Sequence, residues 1–123
     1  MKWTILLVAI ALLVLVFRLK ASSTLPAAAA REHLKKGAML VDVRTVAEYN
    51  AGHLTNAVNI PLDEIQKAFP RRVSDRSQVV LLHCRSGRRS GLAEQQLRAL
   101  GYTNVFNIGS YSQAEALANS ATK

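Results

Sequence analysis

The sequence predicts an α/β fold in which a small parallel sheet carries helices on both faces, preceded by an N-terminal hydrophobic helix. Short apolar runs alternate with segments of helical patterning, which is typical of parallel β-α-β units. Few polar residues interrupt these runs, as in strands that are buried on both faces. The segment before residue 18 is almost wholly apolar, which separates it from the domain that follows.

Residues 1–20 are predicted to be a transmembrane anchor or a signal segment. The uncharged run between Trp3 and Phe17 has 15 residues, whereas an ordinary spanning helix has about 20 and a signal-peptide core is shorter. Arg18 and Lys20 follow the run and favour an uncleaved membrane anchor with the domain in the cytoplasm. The alternative is export to the periplasm after signal cleavage, for which residues 21–23 offer a candidate site.

Beyond this segment, residues 21–25 are expected to be a linker, residues 26–118 the folded domain and residues 119–123 a frayed tail. Apolar runs give the strands, while helical spacing with glycine or proline at the ends gives the helices. In chain order the predicted elements are a helix from Pro26 to Gly37 with Ser23 or Thr24 as its cap, a strand at 39–43, a strand at 57–60, a helix at 62–69 closed by Pro70, a strand at 79–82, a helix at 90–100 capped by Gly101, a strand at 105–108 and a weak helix at 113–118.

Composition narrows the functional classes. The chain has 123 residues, enough for one domain, and carries a formal net charge of +8. Its basic cluster has no interleaved aromatic residues, so nucleic-acid binding is not expected. A single cysteine excludes an intramolecular disulfide and a thiolate zinc site, and no metal or cofactor is predicted.

That cysteine, Cys84, follows the strongest predicted strand, and ligands of open parallel sheets bind at the carboxyl ends of strands. The loop after it continues with the residues Arg85, Ser86, Gly87, Arg88, Arg89 and Ser90 and leads into a helix. A helix N-terminus and nearby arginines favour a thiolate, and Gly87 lets several N–H groups turn toward one point. The loop therefore predicts a catalytic nucleophile, Cys84, in an anion-binding cradle.

Three ordered segments resemble the rhodanese family of sulfurtransferases, most closely its small single-domain bacterial members. The segments are residues 41–44 (VDVR) with Glu48 and Tyr49, residues 52–61 (GHLTNAVNIP), and the loop at residues 84–90 (CRSGRRS). The resemblance implies that Cys84 takes the outer sulfur of thiosulfate or a similar donor as a persulfide. A thiol or cyanide acceptor then removes that sulfur.

The resemblance also implies roles for other residues. The loop N–H groups between Arg85 and Ser90 are expected to stabilise the persulfide. The arginine side chains of the loop are expected to bind the donor, with Arg85 and Arg89 as first choices and Arg88 as third. Structural support through ion pairs is expected from three residues of the first segment, namely Asp42, Arg44 and Glu48.

Loop length separates the alternatives. Related phosphatases use a Cys-x5-Arg loop, but here Arg89 lies five positions after Cys84 and Ser90 occupies the sixth. A Cys-dependent phosphatase is therefore the weaker alternative, and a non-catalytic, membrane-anchored persulfide carrier or interaction module is the stronger one.

His53 is expected to pack and hydrogen-bond, and His83 to point away from the loop. The family often has two glycines after the last strand, where this chain has Gly109 and Ser110, so acceptor preference stays open.

Overall fold

Four parallel strands form a single sheet in the computed structural model, which describes residues 1–20 and 24–121. The spatial order is β2-β1-β3-β4, and every neighbouring pair is parallel. The strands are β1 (Met39–Asp42), β2 (Val58–Asn59), β3 (Val80–His83) and β4 (Val105–Gly109). The central strands β1 and β3 pair along their whole length, so their carboxyl ends meet at one edge of the sheet.

Helices cover both faces of this sheet. Within the described residues they are α1 (Lys2–Lys20), α2 (Ala27–Lys35), α3 (Val46–Ala51), α4 (Ile65–Arg72), α5 (Arg88–Ala99) and α6 (Tyr111–Ala121), with a 3-10 turn at Leu62–Glu64 before α4. Helices α2 and α6 pack on one face, and α4 and α5 pack on the other. The predicted parallel sheet with helices on both faces is confirmed.

The alternation of side chains along the strands builds a core on each face. Leu40 and Leu81 lie in the cluster with α2 and α6, whereas Val41 and Leu82 lie in the cluster with α4 and α5. Successive strand residues point to opposite faces, so an uninterrupted apolar strand fills both cores at once. This alternation continues past the end of β3 and decides which face receives each residue of the site.

Helix α1 contains the apolar N-terminal run, but the structure does not support the predicted transmembrane anchor. Among residues 1–20 and 24–121, no helix is both long enough and apolar enough to cross a membrane. The uncharged run of 15 residues spans about 22 Å, whereas a bilayer core is about 30 Å thick. Residues 21–23, with the candidate cleavage site and the possible cap Ser23, lie outside the described residues. The cytoplasmic location and the alternative of export stay predictions.

Two helix ends differ from the sequence-based expectation. Helix α4 continues through Pro70 to Arg72, although the proline removes one hydrogen-bond donor. Phe69 anchors this last turn, because its ring is fully buried and meets the Tyr102 ring edge-on at 4.8 Å. Helix α6 runs to Ala121, three residues past the predicted domain end at 118. The tertiary contacts of Phe69 explain why the proline does not end the helix.

Helix α5 ends in a Schellman motif at Gly101. The N–H of Gly101 donates to the carbonyl of Arg98 at 3.0 Å, and the N–H of Tyr102 donates to that of Leu97 at 3.1 Å. Gly101 has φ +97°, a left-handed conformation that costs a residue with a Cβ about 1–2 kcal/mol. The motif turns the chain back toward β4.

We expect Gly101→Ala to lower the free energy of unfolding by about 1 kcal/mol, because the new Cβ strains the backbone without meeting a close neighbour. Urea denaturation of the full chain measures this loss. Gly52→Ala is the matched control, since Gly52 has extended backbone (φ 164°) and open space around a Cβ. Equal destabilisation by both substitutions would contradict the prediction.

Candidate active site

Strand β3 delivers Cys84 to the carboxyl edge of the sheet. All residues of β3 are buried, and the N–H of Cys84 extends the pairing with β4 by donating to the Gly109 carbonyl at 3.3 Å. By alternation the Cys84 side chain joins Leu82 on the face covered by α4 and α5, while His83 points to the opposite face. Cys84 is fully buried, so its sulfur meets protein donors in place of water.

Those donors come from the loop and the first turn of α5. The Gly87 N–H donates to Cys84 Sγ at 3.0 Å, and Ser90 Oγ lies 3.5 Å from the same sulfur. Burial raises the pKa of the Cys84 thiol, but hydrogen bonds from the Ser90 hydroxyl and from the N–H groups of Ser90, Ser86 and Gly87 outweigh it. The pKa of Cys84 therefore lies below its ordinary value, which favours the nucleophilic thiolate.

The loop packs tightly against the connection between β4 and α6. Gly87 has φ +92°, and a Cβ there would lie 3.2 Å from the Gly109 Cα. Ser86 and Ser110 form an isolated antiparallel bridge. A glycine is needed at position 87 both for the left-handed turn and for this close approach.

Arg89 is held by Glu48 of α3. Its two terminal nitrogens donate to the two carboxylate oxygens of Glu48 at 2.6 and 2.9 Å. These bonds from Arg89 lower the pKa of Glu48 to about 2, against a smaller opposing effect of burial, with further help from Thr45. The structure thus brings together Glu48, predicted as structural support, and Arg89, predicted to bind the donor.

The remaining arginines of the loop are placed differently. Arg85 and Arg88 are exposed, and neither has an ion-pair partner among the described residues. Both belong to the loop at residues 84–90, which surrounds the sulfur. Their charges are available to an anionic ligand, whereas that of Arg89 is already paired.

Asp42 and Arg44 form a buried ion pair beside the site. Arg44 Nη2 lies 2.7 Å from Asp42 Oδ2 and also donates to the Gly52 carbonyl at 2.7 Å. The guanidinium stacks on the Tyr111 ring at 4.8 Å. This pair joins the end of β1 to the chain after α3 and to α6, so it braces the edge of the sheet on which Cys84 sits.

The two histidines near the site do not reach the sulfur. His83 is fully buried, with Nδ1 at 3.3 Å from the Cys84 carbonyl oxygen and Nε2 at 3.8 Å from Asp42 Oδ2. Burial lowers the pKa of His83, with Arg44 adding to this effect and Asp42 and the Cys84 carbonyl opposing it. His53 is exposed and stacks on Tyr49 with 3.8 Å between ring centres. Their placement gives neither side chain direct contact with Cys84 Sγ.

Two features of the site were not predicted from the sequence. No helix was predicted between the strands at 39–43 and 57–60, yet Thr45 and Glu48 form a capping box at the start of α3, and their spacing is a readable helix-start pattern. Asn107 was read as part of an apolar strand, although it is a buried polar residue. Its amide contacts Gly87 and Ser90, so the signal was a polar side chain inside a core strand.

Sequence and structure comparisons identify the family. Residues 26–116 match the family described as "Rhodanese-like domain", and the chain belongs to that family. It is 39% identical over 69 residues to the thiosulfate sulfurtransferase PspE of Escherichia coli (strain K12), a match covering 56% of this chain and 66% of PspE. It is 32% identical over 69 residues to the putative sulfur carrier protein YrkF of Bacillus subtilis (strain 168), covering 56% of this chain and 36% of YrkF.

Solved structures give the same family. The fold is similar to a "rhodanese with anions from E. coli", with a TM-score of 0.60 and 35% identity over 63% of this chain and 91% of that one. It is also similar to the human single-domain sulfurtransferase TSTD1, with a TM-score of 0.65 and 29% identity over 78% and 97% of the two chains. The chain spans less than two thirds of the length of both curated relatives, PspE and YrkF.

We expect Glu48→Gln to lower the free energy of unfolding by about 1 kcal/mol near neutral pH, because it removes a partly exposed bidentate ion pair. The ionised Glu48 stabilises the folded state above pH 4.5, and this stabilisation is lost as the pH falls toward about 2. Urea denaturation of both proteins at several pH values measures the difference. A difference that does not shrink below pH 4.5 would contradict the role of the charge.

Proposed function

We propose that the chain is a sulfurtransferase that moves a sulfane sulfur from thiosulfate, or a similar donor, to a thiophilic acceptor through a persulfide on Cys84. The main observation in support of this proposal is that the Gly87 N–H and the Ser90 hydroxyl are hydrogen-bond donors to Cys84 Sγ. The domain at residues 26–118 would carry the activity. The name of PspE, thiosulfate sulfurtransferase, supports the choice of donor.

In the first step the Cys84 thiolate attacks the outer sulfur of thiosulfate. A sulfur–sulfur bond forms on Cys84, the original sulfur–sulfur bond breaks, and sulfite leaves with the bonding electron pair. The loop N–H groups then face the persulfide, whose charge they stabilise as they stabilise the thiolate. In the second step the acceptor attacks the terminal sulfur and restores the thiolate.

Donor binding is assigned to the exposed arginines. Arg85 and Arg88 are exposed, have no ion-pair partner among the described residues and belong to the loop around Cys84, so they are suited to the sulfonate end of thiosulfate. Arg89 is paired with Glu48 and acts as a fixed positive charge near Cys84. This division gives the three arginines different roles within the same loop.

The size of the loop favours sulfur over phosphate. In a Cys-x5-Arg loop an arginine would stand at position 90, where this chain has Ser90. The Ser90 side chain is buried and faces Cys84 Sγ and Asn107, so the position contributes a small neutral donor and no cation. A persulfide requires less space and less charge compensation than a phosphate dianion.

A second candidate function is persulfide carriage to a partner protein, which the name of YrkF, a putative sulfur carrier, favours. The same Cys84 persulfide serves both functions. They differ in what happens to the persulfide, because an enzyme discharges it to small thiols or cyanide while a carrier keeps it. Comparing persulfide lifetime with and without such acceptors separates the two.

We expect incubation with thiosulfate to make the full chain heavier by one sulfur atom, located on Cys84, since the loop stabilises the persulfide. Intact mass spectrometry and peptide mapping measure this change, and added cyanide should remove the sulfur as thiocyanate. Cys84→Ser is the matched control and should gain nothing. An unmodified wild-type chain that forms no thiocyanate would refute the proposed function.

We expect Arg85→Ala to raise KM for thiosulfate about tenfold with a smaller change in kcat, because it removes a charge that binds the donor and does not touch the sulfur. Lys36→Ala is the control of equal charge, since Lys36 follows α2 near the amino end of β1. Steady-state thiocyanate formation measures both. Equal effects of the two substitutions would show that only overall charge matters.

A further inference from the structure

We propose that Asn107 is a positioning residue for Cys84, whose side-chain amide holds the Gly87 peptide and the Ser90 hydroxyl against the sulfur. This inference rests on the proposed function, because it concerns the strength of the nucleophile. The residue lies on β4 and touches the sulfur only through these two groups. It therefore acts on the nucleophile from the neighbouring strand.

The amide of Asn107 is almost fully engaged. Nδ2 donates to the Gly87 carbonyl at 3.0 Å, and Oδ1 accepts from Ser90 Oγ at 2.7 Å and from the Gly109 N–H at 2.9 Å. The side chain is buried, so water does not compete for these bonds. One polar side chain thus links β4, the loop and the first turn of α5.

The contact with Gly87 directs a donor. The carbonyl that Asn107 holds and the N–H that points at Cys84 Sγ, at 3.0 Å, belong to the same left-handed glycine. The Gly87 carbonyl also accepts the Gly91 N–H at 3.1 Å within α5, and the bond from Asn107 adds a second anchor, on β4, to a residue with wide backbone freedom. By holding the carbonyl, Asn107 restricts the direction of the N–H.

The contact with Ser90 directs a second donor. A serine hydroxyl has one proton, and three acceptors surround it, namely Asn107 Oδ1 at 2.7 Å, the Gly87 carbonyl at 3.2 Å and Cys84 Sγ at 3.5 Å. The shortest contact keeps Oγ in place while the sulfur is a thiol. When the sulfur ionises, the same hydroxyl is within reach to donate its proton to Sγ, because Oγ lies 3.5 Å away.

The charged groups around Cys84 stay the same when Asn107 is removed. Arg89 of α5 contributes positive charge and is paired with Glu48 of α3, while His83 of β3 packs against Tyr111 on the other side of the sheet. Glu94 of α5 accepts the backbone N–H of Asn107, which survives a side-chain substitution. A change in the Cys84 pKa on removal of the amide therefore reports the position of its donors.

The test is the pH titration of thiolate absorbance in Asn107→Ala, which is specific because the chain has one cysteine. We expect the pKa of Cys84 to rise by about one unit, a tenfold smaller thiolate fraction at any pH well below that pKa, since charged hydrogen bonds are weakened. Asn104→Ala removes a bond from the same residue type to the Ser77 carbonyl and should leave the pKa unchanged. Thermal unfolding measures the stability of both variants. A general loss of stability would not raise the pKa of Cys84 in Asn107→Ala alone.

Ser90→Ala and the double variant with Asn107→Ala identify the route. The pKa of Cys84 in the double variant is compared with that in Ser90→Ala alone. A higher pKa in the double variant supports action of Asn107 through Gly87 as well as Ser90, and an equal pKa supports action through Ser90 alone. An unchanged or lower pKa of Cys84 in folded Asn107→Ala overturns the proposal. If the alanine variant does not fold, the same titration is made on Asn107→Ser, whose side chain is too short to reach the Gly87 carbonyl, and the same outcomes apply. The titration needs no sulfur donor, so its outcome is independent of whether sulfur transfer is observed.

Discussion

The hydrogen bonds that hold the Cys84 sulfur inside the protein are the constraint on which the rest of the site depends. A buried thiolate is costly unless donors replace the water it has lost. Here the donors are backbone N–H groups and a hydroxyl from one tight turn, with Gly87 N–H at 3.0 Å from Sγ. The turn exists only because Gly87 adopts a left-handed conformation against Gly109. Cys84, the loop and the last strand are therefore parts of one arrangement.

The surrounding ion pairs keep this arrangement in place. Glu48 joins α3 to Arg89 at the start of α5, and the buried pair of Asp42 and Arg44 fixes the end of β1 beside it. The pair of Glu48 and Arg89 joins residues 41 positions apart, and Arg44 also contacts the Gly52 carbonyl and the Tyr111 ring, so these contacts tie the carboxyl edge of the sheet together around the loop. The two exposed arginines, Arg85 and Arg88, have no ion-pair partner among the described residues, and the proposed function assigns them to the anionic donor.

The sheet and the loop could be predicted from short segments of the sequence. The apolar runs around Val41 and Leu82 predicted a parallel sheet, and the loop after Cys84 indicated a candidate site, because these signals lie within a few residues. The ion pair between Glu48 and Arg89 was not predicted, since it spans 41 positions and depends on how α3 meets α5. Helix α4 passes through Pro70 because the buried Phe69 stabilises its last turn. The amide network of Asn107 needed the register of β4, which a single sequence does not specify.

The most direct test of the central claim is the pKa of Cys84 in the wild-type chain, measured by titrating thiolate absorbance. Hydrogen bonds from the Ser90 hydroxyl and from the loop N–H groups outweigh the effect of burial on this thiol. We expect a pKa clearly below the value of about 8.5 for a free cysteine. A pKa at or above that value would contradict it, because burial would then dominate and the loop would not be stabilising a thiolate.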